Sequence, residues 1–474
     1  MKKSPIICLL LAFFMLISVL FPVTSSASSP AVERGCNSLQ ARVPLGGTQQ
    51  LTETAKAVLL YELNTDTLVY AWNPDQRIDP SGMVKILTAL VALEHGNLED
   101  EVTVDRDTLN SVGIGIVSAN LQSGEVITVR DLLYCVMVKS ANDACAVLAK
   151  HIGGTQAEFV AMMNEKARQL GCTDSHFANA HGLGGTDQYS TARDLAIITA
   201  AALENELFAS MFSLQRYTVP ATNKSEERYL ITSNYMLSDE YIKNYRDTRV
   251  TGGKTAAATL TDRSVILTAE SGTSRYLCIV MSAQAQVSDD GLNVKVFGSF
   301  DEAKVALDYG FRNFAVRQVV DQRQIYAQYA VAGGENHVTV STTEDLFTVL
   351  PVDHDPEKLY FDTVVDASHL QAPLEKDAII GQLQISYDGI ILGSCDLKAN
   401  QGVSLKGDTI QNANRIDGEN SKAFPWKQLL IGAGILLLAA VVIFVLILVA
   451  IRLLRSARIK RQHRRRMRSR RRSR

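Results

Sequence analysis

Pro80-Ser81-Gly82-Met83-Val84-Lys85-Ile86-Leu87-Thr88-Ala89-Leu90-Val91-Ala92-Leu93-Glu94-His95 reads as a helix of the buried kind. Ile86, Leu87, Leu90, Val91 and Leu93 cover most of its circumference, whereas a surface helix keeps a polar face. The helix is expected over about Gly82–His95, closed by Gly96. Ser81 follows Pro80 and precedes the first turn, which suits an N-cap with its hydroxyl aimed at the amides near Val84. Lys85 stands in this apolar helix, and Gly82 lies three residues before it, on the same face.

Outward from that helix, the chain alternates less regularly. Ala57-Val58-Leu59-Leu60-Tyr61 and Thr67-Leu68-Val69-Tyr70-Ala71-Trp72 flank Asn64-Thr65-Asp66 and read as two strands about a turn. Helices are expected at 129–152, 155–170 and 191–203, with Ser140-Ala141-Asn142 at a break in the first of these regions. After residue 250 come strands, Ser264-Val265-Ile266-Leu267-Thr268 and Tyr276-Leu277-Cys278-Ile279-Val280-Met281, then a closing helix from about Phe300 to Tyr309. Strands, helices, strands and a last helix predict an α+β domain with one antiparallel sheet over residues 28–312. Residues 313–406 alternate in short strands, such as His337-Val338-Thr339-Val340-Ser341, and predict a separate all-β domain. Residues 407–428 are mostly polar and read as a linker.

The two ends point to a membrane. Lys2 and Lys3, the apolar stretch Ile6–Val23 and the small residues Ser25-Ser26-Ala27 predict a signal peptide over residues 1–27; a retained anchor is the other reading. Leu429–Ile451 is 23 residues without a charge, enough for one transmembrane helix. The 13 Arg and Lys of residues 452–474 then form a cytoplasmic tail beside anionic lipid head groups. Without that tail and Lys2, Lys3 and Lys427, residues 28–426 carry a net charge of −18. Such an exterior argues against nucleic acid, or anionic wall polymers, bound by charge alone. Cys36, Cys135, Cys145, Cys172, Cys278 and Cys395 lack metal-type spacing, and Cys135 and Cys278 sit in apolar runs that suit buried thiols. His176 and His181 resemble a metal pair without a third ligand, so no metal is expected.

Three short motifs follow in order: Gly82-Met83-Val84-Lys85, Ser140-Ala141-Asn142 and Lys254-Thr255-Ala256. Ser-x-Asn or Lys-Thr alone is worthless, each arising roughly once by chance in a chain of this length. With their order and flanks, the chain resembles the D-alanyl-D-alanine carboxypeptidases, which are low-molecular-weight penicillin-binding proteins. Beyond the motifs, Arg77-x-x-Pro80, Asp143-Ala144, His181-Gly182-Leu183, Tyr189-Ser190-Thr191-Ala192-Arg193-Asp194-Leu195 and Leu307-Asp308-Tyr309-Gly310-Phe311 carry the likeness. So do Ala372-Pro373-Leu374-Glu375-Lys376 and Ile385-Ser386-Tyr387-Asp388-Gly389 in the β domain.

The resemblance implies a penicillin-binding-protein/β-lactamase-like domain working on peptidoglycan stem peptide without a cofactor. In the family, a serine three residues before the first-motif lysine attacks the D-Ala-D-Ala carbonyl. The lysine takes its proton, which needs an amine held neutral by burial and nearby cations. By carry-over, Lys85, Ser140 and Asn142 are the catalytic residues, and Lys254, Thr255, Ala256 and Ala257 line the substrate strand. Two backbone amides, one on the nucleophile, form the oxyanion hole. Four departures stand against activity. The nucleophile position is Gly82, Val84 replaces a threonine, and Ala256 replaces a glycine, adding a methyl where substrate would lie. The arginine that often follows a glycine before the closing helix, where it helps bind the terminal carboxylate, is Ser299.

The expectation is therefore a membrane-anchored, extracytoplasmic relative with lost peptidase activity that binds wall peptide or wall proteins. An active carboxypeptidase using Ser81 as displaced nucleophile is the rival, although a misplacement of about 1 Å can cost roughly a hundredfold. A third reading is a membrane-anchored sensor or scaffold.

Overall fold

Alternate residues of a strand face opposite ways, so a strand that is apolar at every position must be covered on both sides. β1 (Ala57–Glu62) and β2 (Thr67–Trp72) are of this type except at Glu62 and Thr67 beside the turn, and they form a hairpin with Asp66 taking a positive φ of 55°. β3 (Val250–Ala257), β4 (Asp262–Ser271) and β5 (Ser274–Gln284) complete one antiparallel sheet in the order β2-β1-β5-β4-β3. In this computed structural model, which describes residues 39, 43–113, 116–184 and 187–406, β3 is an edge of that sheet.

One face carries helices α1 (Val84–His95), α2 (Val129–Tyr134), α3 (Asn142–Gly153), α4 (Gln156–Gln169) and α5 (Ala192–Leu203). The other is covered by α6 (Gly298–Asn313). Leu59 of β1 joins Met83, Ile86, Val136 and Phe159 in the first core, and Leu60 joins Val265, Tyr276 and Leu307 in the second. α1 runs through the first core with every residue from Val84 to Ala92 buried. At about 1.5–3 kcal/mol for each large apolar side chain removed from water, α1 is a central prop of the domain. Thr128, Thr155 and Thr191 cap α2, α4 and α5 by accepting the N–H three residues on.

Two expected helices differ in detail. The one expected from Gly82 begins as a 3-10 turn over Ser81–Met83 and becomes α-helical at Val84. The one expected over 129–152 is interrupted: after α2 a π-turn spans Cys135–Lys139, and Ser140 adopts φ 64°, ψ 32° before α3 starts. A left-handed residue ends a helix, and the break falls at Ser140-Ala141-Asn142, where the sequence reading set it.

Past α6, β6 (Phe314–Val320) leads into strands β7 (Ala327–Ala330), β8 (His337–Thr342), β9 (Leu346–Pro351), β10 (Leu359–Val365), β11 (Ile379–Tyr387) and β12 (Ile390–Ala399). β6 pairs with β9, and the others form a sheet in the order β7-β8-β12-β11-β10. Val338, Val340, Leu383, Ile385 and Leu397 make its small core, the alternating residues of each strand facing inward.

The expected signal peptide, linker, transmembrane helix and basic tail lie outside the described residues, as does Cys36. Among the described residues no single helix is long and apolar enough to cross a membrane. Cys135, Cys145, Cys172, Cys278 and Cys395 are all buried.

Candidate active site

The first turn of α1, the break before α3 and the edge strand β3 meet around a cleft of about 550 Å³. Gly82, Lys85, Ser140, Asn142, Thr255 and Ala256 all line it. The three motifs, up to 172 positions apart from Gly82 to Lys254, are thus brought together by the fold.

Lys85 projects from the buried helix into the floor of this cleft. Its Nζ donates to Asn142 Oδ1 at 2.9 Å and to the carbonyl of His181. Burial holds this amine below the ordinary lysine range. An amine weakened in this way gives up its proton more readily than an exposed lysine does. Asn142 is fixed in turn: its backbone N–H and its Nδ2 both donate to Val117 O, at 2.9 and 2.8 Å. The next residue, Asp143, is buried and accepts from Ser118 Oγ (2.6 Å), Ala119 N (2.9 Å) and Leu121 N (3.1 Å). A single carboxylate thereby pins the loop that pins Asn142.

Lys254 Nζ donates to Ser140 Oγ at 2.8 Å and to Thr255 O at 3.3 Å. Burial first, and the charge of Lys85 second, depress it to about 7. The left-handed backbone of Ser140 is what turns its hydroxyl to meet this lysine. Thr255 Oγ1 lies 2.5 Å from Ser233 Oγ, so its hydroxyl is held facing outward from the strand.

Gly82 carries nothing to attack with, but its place is intact. A Cβ built there meets Ala256 Cβ at 3.5 Å, Lys85 Nζ at 3.6 Å and Ala256 Cα at 3.7 Å, all ordinary contacts. The Ala256 methyl is buried and faces this position, whereas the sequence reading set it along the substrate path. Alternation along β3 explains the difference: Lys254 and Ala256 share the inward face, and Thr255 and Ala257 the other.

Ser81 is not the N-cap expected of it. Pro80 precedes the 3-10 turn and makes no side-chain cap, and Met83 likewise starts α1 without one. The Ser81 hydroxyl donates instead to Ala257 O at 2.9 Å, across to β3 and within the cleft. Two features redirect it. Asp79 Oδ1 accepts the Ser81 N–H at 2.9 Å, and Ser81 itself has a φ of 47°. Its hydroxyl is engaged with a carbonyl and not with Lys85.

Gly182 closes the site from above. Its φ is +80°, and a Cβ there would stand 2.0 Å from Ser81 O, so only glycine fits. Thr88 Oγ1 donates to Ala180 O at 2.7 Å, which holds the same loop to α1. Burial, then the nearby Lys85, lower His181 to about 4. His176 and His181 have separate tasks: His176 Nδ1 lies 2.9 Å from Asp187 O, and His181 Nδ1 accepts Leu183 N–H at 3.1 Å. Among the described residues no group of three or more metal-type side chains converges. The carbonyls of His181 and Val117 were beyond sequence reasoning because backbone, not side chain, does the work there. Gly182 stood in a quoted segment, but its contact with Ser81 is legible only in three dimensions.

Comparison with known proteins agrees with this geometry. The D-alanyl-D-alanine carboxypeptidase (S11 peptidase) family model matches residues 46–285, which include all three motifs and just over half of the chain. The chain belongs to the D-alanyl-D-alanine carboxypeptidase family. Residues 314–404 match the C-terminal domain of penicillin-binding protein 5. The carboxypeptidase DacD of Salmonella typhimurium is 28% identical over 344 residues, covering 70% of this chain and 82% of that one. DacF of Bacillus subtilis is 26% identical over 363 residues, with 76% and 88% covered. The crystal structure of penicillin-binding protein 5 from Haemophilus influenzae superimposes with a TM-score of 0.60 at 27% identity, covering 76% of this chain and all of that one. This is therefore a carboxypeptidase-family protein of peptidoglycan metabolism.

Proposed function

We propose that this family member binds the stem peptide of peptidoglycan in its cleft and does not turn it over. One observation carries the reading. Two hydrogen-bonded pairs, Lys85 with Asn142 and Lys254 with Ser140, and the Thr255 hydroxyl held by Ser233 line one cleft around a residue, Gly82, that has no nucleophile. Acyl transfer through a serine ester needs an oxygen at that point, and the Ser81 hydroxyl is committed to Ala257 O. The signal-like residues 1–27, the apolar stretch 429–451 and the basic tail support an extracytoplasmic protein held by a single span.

The test is covalent labelling of the full-length protein by a fluorescent penicillin. Wild type is expected to take no label. Labelling of wild type that disappears in Ser81→Ala would refute the reading and establish the displaced-nucleophile enzyme.

A further inference from the structure

No arginine that could bind a carboxylate lies between Gln284 and Asp301, and Ser299 occupies the expected place. The structure brings an arginine to the same corner from a different strand. Arg263 is the second residue of β4 and lines the cleft together with Thr255, Ala257 and Ser299. In the pairing of β3 with β4, Ala257 is opposite Arg263 and Thr255 opposite Val265. By the two-residue period, Thr255, Ala257 and Arg263 therefore share one face of the sheet, the face covered by α6. The Arg263 guanidinium lies 5.6 Å from the ring centroid of Phe297, the residue just before Gly298-Ser299.

Among the described residues no carboxylate pairs with this guanidinium. Its Nε donates to Leu260 O at 3.0 Å, and among the described residues no ion pair engages its terminal nitrogens. The adjacent carboxylate, Asp262, is already taken by Ser282 Oγ at 2.8 Å and Lys56 Nζ at 3.8 Å. Burial lowers the affinity of Arg263 for its proton, with Tyr235 the opposing influence and no carboxylate contributing. A partly desolvated guanidinium without a counter-ion, ring-stacked and pointing into a cleft, is a waiting anion site. The two lysines nearby are less suited to that task, since Lys254 is bonded to Ser140 and Lys85 to Asn142.

We propose that Arg263 is the carboxylate anchor of this cleft, gripping the C-terminal carboxylate of a peptide laid along the edge of β3 beside Thr255. The anchor is supplied from β4 in place of the arginine absent at Ser299. This rests on the peptide-binding reading above and adds to it the residue that makes the site specific for a free C-terminus.

The experiment measures binding of diacetyl-L-lysyl-D-alanyl-D-alanine, and of its C-terminal carboxamide, to the full-length protein in detergent by calorimetry. Wild type is expected to bind the acid more tightly than the amide by roughly tenfold to a hundredfold, the range for a charge-assisted hydrogen-bonded contact. Arg263→Gln is expected to remove that preference while leaving amide affinity unchanged. Arg263→Lys, which keeps the charge and loses the planar fork, is expected to fall between the two. An unchanged acid preference in Arg263→Gln, with a melting curve like that of wild type, overturns the assignment while the peptide-binding reading stands. Failure of wild type to bind either peptide overturns both. If Arg263→Gln does not fold, an acid preference in Arg263→Lys equal to that of wild type overturns the bidentate anchor, and a reduced one supports it.

Discussion

The first motif differs from the other two within one cleft. At the second and third motifs, the side chains the chemistry needs are present and mutually bonded: Lys254 to Ser140, Asn142 to Lys85, Thr255 to Ser233. At the first, the lysine remains but the oxygen is gone, and Ser81 next to it points elsewhere. The loss has not collapsed the site. The ordinary contacts awaiting a Cβ at Gly82 show that loss of the nucleophile and loss of the pocket are separable. On the proposed reading, a cleft kept in order around Gly82 holds a ligand without turning it over, because binding contacts act with or without the bond-breaking step.

The sharpest way to break that comparison is to put the oxygen back. Gly82→Ser is expected to convert a protein that takes no penicillin into one that is stoichiometrically labelled, read by in-gel fluorescence. The new Cβ has room, and its oxygen would lie near Lys85 Nζ. If no label appears, the intact half of the site is intact only in outline, and Ala256 and Ser299 mark a deeper change.

A smaller effect tests how firmly the second motif is held. Asp143→Ala removes the acceptor for the Ala119 and Leu121 amides and for Ser118 Oγ. Leaving buried donors unsatisfied costs about 1–3 kcal/mol each, so the unfolding free energy should drop by several kcal/mol in urea titration. In the Gly82→Ser background, labelling should fall as well, because Asn142 loses the loop that orients it. A variant as stable as wild type would mean that the second motif is ordered by something other than this carboxylate.

Much of this arrangement was legible in the sequence, for reasons tied to particular residues. The apolar circumference of Ile86–Leu93 and the largely apolar strands about Asp66 report burial directly, and burial decides the layers. Lys85, Ser140 and Lys254 were found because side-chain chemistry at fixed spacing survives in one dimension. The orientation of Ser81 was not, because it depends on a positive φ and on Asp79 competing for its amide. Nor was the π-turn before Ser140, where helix-forming residues continue through a break set by tertiary contacts. Arg263 escaped notice because strand pairing, not sequence proximity, puts it beside Ala257.

The charge state of the intact half gives a third test. With a folded value of about 7 against an ordinary 10.5, Lys254 holds its proton less tightly folded than unfolded. Below about pH 7 both states are protonated and the cost of burying the charge is present in full. It shrinks as pH rises through the window from 7 to 10.5 and vanishes above, where both states are neutral, so this group's contribution to stability rises with pH. Lys254→Met removes the cost at every pH. The melting temperature of the variant minus that of wild type should therefore fall steadily between about pH 6.5 and about pH 10. A difference that is flat with pH would mean that Lys254 keeps its ordinary proton affinity in the folded protein.

The smallest effect expected is at Ser81, and it separates the drifted half of the site from catalysis altogether. Ser81→Ala loses one hydroxyl bond to Ala257 O, worth about 0.5–1.5 kcal/mol, and keeps the left-handed backbone. Ser81→Gly loses the same bond but is relieved of a conformation that costs a non-glycine residue about 1 kcal/mol or more. The alanine variant should therefore be slightly less stable than wild type, and the glycine variant should recover most or all of that loss in denaturant titration. Neither change should alter penicillin labelling of a Gly82→Ser protein by more than a few-fold, since the hydroxyl is bonded to β3 and not to Lys85. If Ser81→Ala instead abolished a reaction of the unmodified protein with penicillin, stability measurements in the same samples would tell a lost nucleophile from a lost fold. Only a lost nucleophile would establish the displaced-nucleophile enzyme.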